Sequence, residues 1–129
     1  MSNPRRSDPF GELFGDFSDR LRGDRWQPDV DVYETESEIV VRVELAGVHS
    51  RDLRVGVDGS ELCISGQRAG GVAADVRHHQ MEIATGPFER RLRIAVGFDR
   101  ERVSAHLVDG ILTIQLPKRA RRSVAVERG

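Results

Sequence analysis

Residues 102–118 read RVSAHLVDGILTIQLPK, and their alternation decides the fold class. Val103, Ala105 and Leu107 alternate with polar partners, and Leu112, Ile114 and Leu116 do the same around Thr113 and Gln115. A period of two puts every second side chain on one face, the pattern of a strand with one buried side. Asp109-Gly110 between the two runs is a strong hairpin signal, because glycine adopts positive φ freely and aspartate opposes it less than most residues. Pro117 lacks the N–H that a ladder needs and ends the second strand.

The same rhythm recurs upstream. Val30 and Val32 alternate with Asp31 and Tyr33; Glu38–Leu45, EIVVRVEL, is rich in β-branched residues and ends at Ala46-Gly47-Val48. Asp52–Val57 alternates again, Asp58-Gly59 marks a turn, and Leu62–Gly66 is a further strand. Short strands at intervals of roughly 8 to 12 residues, with turn signals between them and no long helical pattern, predict an all-β sandwich or barrel. Residues 67–86 break the rhythm with a loop long enough to be functional. It holds a possible strand, Val76–Ile83, and Gly86–Ile94 resumes the series.

Two flanks lie outside the strands. In residues 1–27, Phe10, Leu13, Phe14, Phe17 and Leu21 recur at helical spacing, with Asp8 and Pro9 suited to a helix start. Gly11, Gly15 and Gly23 oppose that helix, so the arm reads as a marginal amphipathic segment, partly helical or disordered. The arm's apolar side chains either fill the domain's own core or, since the strands already supply a two-sided one, form a surface buried by self-association or by other proteins. In the basic tail, 119–129, Val124 and Val126 point the same way in an extended segment and could enter an apolar groove while the backbone adds to a sheet edge.

Composition narrows the function. The 129 residues suit one domain with arms, and a net charge of −1 gives no global case for nucleic acid or membrane. The tail's arginines lack aromatic neighbours for base stacking. No apolar run approaches the roughly 20 residues of a membrane span, and the N-terminus lacks a secretory apolar stretch, so a cytoplasmic address is expected. Cys63 is the sole cysteine and reads as a small, inert strand residue. His78 and His79, adjacent in an extended segment, point to opposite faces and do not readily share a metal. With no phosphate-cradling loop and no nucleophile elbow, neither catalysis nor a cofactor is expected.

Several stretches together resemble one family. Ala105-x-x-x-Asp109-Gly110-Ile111-Leu112, followed by Pro117-Lys118, resembles the A-x-x-x-N/D-G-V/I-L pattern of the small heat shock proteins, the α-crystallin or Hsp20 family. Trp26-x-Pro28-x-Val30-Asp31-Val32-Tyr33-Glu34 is similar to that family's domain entry. Leu45-Ala46-Gly47-Val48 is close to its L-P-G-V, with Ala46 where the proline usually stands. Gly86–Ile94 resembles its G-x-F-x-R strand, followed by Ala95 instead of the usual proline, and Val124-Ala125-Val126 resembles its C-terminal I/V-x-I/V motif.

The resemblance implies an immunoglobulin-like sandwich over 28–118 and an ATP-independent chaperone, a homodimer assembled into larger oligomers, that holds unfolding client proteins. It implies that the phenylalanine-rich arm binds clients, although this arm is short for the family. It implies that the 67–86 loop exchanges a strand with the partner subunit, with Met81 and Ile83 inward, and that Arg90 sits at the dimer interface. The tail valines would dock in a groove between Leu53, Val55 and Val57 on one strand and Val103 and Leu107 on another. The alternative is a related sandwich adaptor that binds a specific chaperone as a monomer.

Overall fold

The computed structural model describes residues 25–120 and 124–128. Seven strands form two antiparallel sheets: β1 (Val30–Glu34), β2 (Glu38–Glu44), β3 (Leu53–Asp58), β4 (Glu61–Arg68), β5 (Gly86–Arg93), β6 (Ser104–Val108) and β7 (Ile111–Pro117). One sheet runs β1-β2-β7-β6 and the other β3-β4-β5. This is the all-β sandwich that the alternation predicts.

The hairpin that opens the sequence argument closes as expected. Val108 pairs with Ile111 across two residues, and both Asp109 (φ 51°) and Gly110 (φ 79°) take the left-handed backbone of a type I′ turn. The Gly110 carbonyl accepts a bond from the Leu45 N–H at 2.7 Å, tying the turn to the end of β2. The β3–β4 turn is shifted by one residue from its expected place: Asp58 pairs with Glu61, so the turn residues are Gly59-Ser60 rather than Asp58-Gly59.

The inward phases meet in one core. Ile39, Val41 and Val43 of β2 and Leu112, Ile114 and Leu116 of β7 face Leu62 and Ile64 of β4 and Phe88 of β5, all buried. Trp26, Leu45, Val48, Ile94 and Phe98 close its ends. Removing such side chains from water at about 25 cal/mol per Å² is the main favourable term in this fold.

The entry segment joins the two sheets. Trp26 bridges Phe88 in parallel, its carbonyl accepting the Glu89 N–H at 3.1 Å, and a few residues later the chain begins β1 of the other sheet. The β5 and β1 edges therefore share one flank of the sandwich, which leaves the β3 and β6 edges on the opposite flank. Arg100, just before β6, confirms the second pairing with a 3.4 Å bond to the Val57 carbonyl of β3.

Two expectations are modified. No strand forms over Val76–Ile83: β4 continues through Arg68, β5 starts at Gly86, and residues 69–85 between them are irregular and mostly exposed. A strand needs a neighbouring edge to satisfy its backbone, and in the single chain this segment pairs with none of the open edges. Val32, expected on a buried phase, is 50% exposed, because β1 lies at a sheet edge and overhangs the three-stranded sheet opposite.

Candidate functional site

Two flanks carry apolar side chains that the single chain leaves uncovered. The first is the flank that carries the unpaired edges of β3 and β6. Leu53, Val55 and Val57 alternate inward along β3, with Val103, just ahead of β6, and Leu107 within it on the neighbouring edge. All five are half-buried and pack on the rim of the core, so the fold brings together residues about 50 positions apart in sequence. Ala105, on the same phase of β6, is exposed, and both strand edges keep one side of their backbone unpaired.

The second is the β1 edge. Val32, Ile39, Ile94, Ala95 and Val96 line a notch of about 220 Å³, with Tyr33, Glu34 and Arg93 around it. Tyr33 on the outer phase is 49% exposed. The 69–85 loop emerges from β4 and β5 on this same flank, with Met81 56% and Ile83 81% exposed.

Val124 and Val126 are 79% and 93% exposed and lie outside any strand. The root of their tail is held firmly, however. The Lys118 N–H donates to the Ser37 carbonyl at 2.9 Å, the Arg119 N–H donates to Gly97 at 3.0 Å, and the Lys118 ammonium pairs with Glu34 at 2.6 Å. Phe10, Leu13, Phe14, Phe17 and Leu21 lie outside the described residues.

Arg90, expected at a dimer interface, is half-buried and donates to the Pro28 carbonyl at 3.1 Å, where it secures the entry segment. Its neighbour Arg91 is the exposed one and pairs with Glu61 at 2.8 Å and Glu89 at 3.4 Å. Cys63 faces outward from β4, and its thiol donates weakly to Glu89 at 3.8 Å. Burial pushes the thiol pKa up, against the pull of Arg91 and with help from Glu89. A thiol shifted in that direction carries little thiolate at neutral pH and is a poor nucleophile. His78 and His79 are exposed in the loop. Among the described residues, no three His, Cys, Asp or Glu side chains gather as a metal site, and no helix is long and apolar enough to cross a membrane.

Pattern reading missed one cluster. Arg68, at the end of β4, has its guanidinium 4.4 Å over the Trp26 ring and bonds the backbone near both the loop and the end of β2. Nothing periodic links positions 26 and 68. The available hint was an arginine closing a strand whose middle, Leu62–Gly66, is apolar or small.

Comparison with known proteins agrees with this geometry. The model of the Hsp20/alpha crystallin family matches residues 31–128. The chain belongs to that family. Among its Hsp20 relatives, a 21.9 kDa heat shock protein of rice is 42% identical over 95 residues, which cover 66% of this chain and 46% of the rice protein. Heat shock protein 16 of Schizosaccharomyces pombe is 33% identical over 116 residues, 83% of this chain and 81% of the relative. The chain thus spans about half of one relative and most of the other. The crystal structure of a small heat-shock protein from Xylella fastidiosa, described as having a distinct high order structure, superposes with a TM-score of 0.72 at 27% identity, covering 81% of this chain and 97% of that one. The family is one of small heat shock chaperones, and the sandwich is its α-crystallin domain.

Proposed function

We propose that this protein is an ATP-independent holdase, which captures unfolding proteins on apolar surface and works as a dimer-based oligomer. The observation that supports the reading is the pairing of open sheet edges, one of them beside a notch, with exposed apolar side chains on two segments outside the sheets, Met81 and Ile83 in 69–85 and Val124 and Val126 in 124–128. Unpaired edges beside apolar pockets invite strand addition, in which backbone bonds supply affinity and alternate side chains supply specificity.

In the dimer, the loop of one subunit lies along the β1 edge of the other, and Met81 and Ile83 enter the notch. Residues 76–83 gain there the backbone partners that they lack in a single chain. Between dimers, Val124 and Val126 enter the β3–β6 groove. Both contacts are small and reversible, so an unfolding client competes for the same apolar surface when subunits separate. The arm residues Phe10, Leu13, Phe14, Phe17 and Leu21 add client contacts.

Size-exclusion chromatography with light scattering tests the assembly. The double variant Val124→Ala/Val126→Ala is expected to run as dimers; a large assembly in that variant would refute the docking role. Heating a client protein without ATP tests the activity. Full-length protein should suppress its light scattering, and removal of residues 1–25 should impair that suppression. Undiminished protection would move client binding onto the sandwich. A wild-type monomer that leaves the client to aggregate would favour a monomeric adaptor.

A further inference from the structure

Arg68 is the charged side chain whose environment the assembly reading does not use. Its side chain is only 10% exposed. Burying a cation is costly unless its donors are satisfied, and here they are met mainly by backbone. Nε donates to the Ala84 carbonyl at 2.8 Å and Nη1 to the Ala46 carbonyl at 3.2 Å. The Glu44 carboxylate lies 3.8 Å away. The guanidinium carbon lies over the Trp26 ring, 4.4 Å from its centroid. Trp26 in turn donates its indole N–H to the Gly86 carbonyl at 3.1 Å and packs against Phe88 with ring centroids 5.2 Å apart.

These contacts fall at the neck of the 69–85 loop. Arg68 is the residue from which the loop departs, Ala84 lies just inside its return, and Gly86 opens β5. The 1–27 arm reaches the same place near its end, since Trp26 is the first buried residue among those described. We propose that Arg68, seated on Trp26, is a positioning residue that clamps the neck of this loop and ties it to the root of the arm. The proposal rests on the loop being the subunit-exchange element. An arginine suits the task because one planar group can bond carbonyls at its edge and stack on indole with its face; a lysine ammonium cannot do both. Opening the clamp breaks two hydrogen bonds and a stacked cation together, so its loss should raise the open population of the neck by about tenfold.

The test compares the full chain with Arg68→Met and Arg68→Lys by hydrogen exchange, read on peptides covering 80–88 and on peptides from β2 and β7. Trp26 is the sole tryptophan, so its emission independently reports the stacked contact. Arg68→Met should speed exchange in 80–88 about tenfold, shift the Trp26 emission and leave β2 and β7 unchanged, with Arg68→Lys between it and wild type. Mixing heavy- and light-isotope protein, followed by native mass spectrometry, should show faster subunit exchange in the same order. Unchanged neck exchange in Arg68→Met, or equal acceleration in β2 and β7, would overturn the clamp. Faster neck exchange without faster subunit mixing would overturn its role in positioning the exchange element. A wild type found to be monomeric would sink the dimer reading by itself, and the neck amides would then decide the clamp.

Discussion

Strands β1 and β2 lie side by side in one ladder and carry the same valine-rich alternation, yet their fates differ. Ile39, Val41 and Val43 of β2 are 3%, 0% and 0% exposed, whereas Val32 of β1, which pairs directly with Val41, is 50% exposed. β2 has a strand on each side and the second sheet above it. β1 has one neighbour and an open notch. The same kind of side chain is core in one strand and exposed in the next, and the difference lies in what surrounds it. Met81 and Ile83 of the 69–85 loop belong with Val32 of β1: apolar and largely uncovered in the single chain.

This contrast can be broken at its strongest point first. A Cβ at Gly66, in the paired interior, would overlap the Asp52 carbonyl oxygen and come within 2.8 Å of the Phe88 ring. Backbone and a buried aromatic cannot both yield, so Gly66→Ala should cost more than about 4 kcal/mol and leave little folded protein by circular dichroism. Next in size, Ile114→Ala should lower stability by about 2–5 kcal/mol in urea denaturation. Val32→Ala at matched protein concentration should change it by less than about 0.5 kcal/mol while weakening the dimer, as sedimentation would show. Equal losses at the two positions would erase the distinction between interior and edge.

Gly110→Ala should cost about 1 kcal/mol or more, because φ is +79° and the new methyl would meet the Ala46 Cα at 3.0 Å. Met81→Ser with Ile83→Ser should leave urea stability within about 0.5 kcal/mol and raise the dimer dissociation constant by about tenfold or more. The smallest effect is at Cys63. With its pKa raised by burial, its thiol should react with a thiol-specific reagent at pH 8 more slowly than free cysteine, and urea should abolish the difference.

Much of the fold was legible before any coordinates. Alternation in EIVVRVEL and ILTIQLP, the Asp109-Gly110 turn and the stop at Pro117 are local signals, and local sterics enforce them. The family was legible from motif spacing alone. The places that resisted reading are those where a residue's surroundings come from far away in sequence. Val32 looked like a core residue because alternation reports phase and not cover. Arg90, which the resemblance places at a dimer interface, is bonded within the chain to Pro28, 62 residues away, a contact that alternation does not announce. Residues 76–83 have the composition of a strand but pair with no edge of their own chain.

From its residues alone the chain determined that it forms strands, where most of them turn, and that they make an all-β sandwich or barrel, because steric preference and side-chain period act over a few residues. Only the tertiary structure decided that two separate sheets form, which edges stay open, and that Trp26 and Arg68 meet at the loop's neck. Those outcomes depend on which strands become neighbours. Burial belongs to the neighbours as much as to the residue.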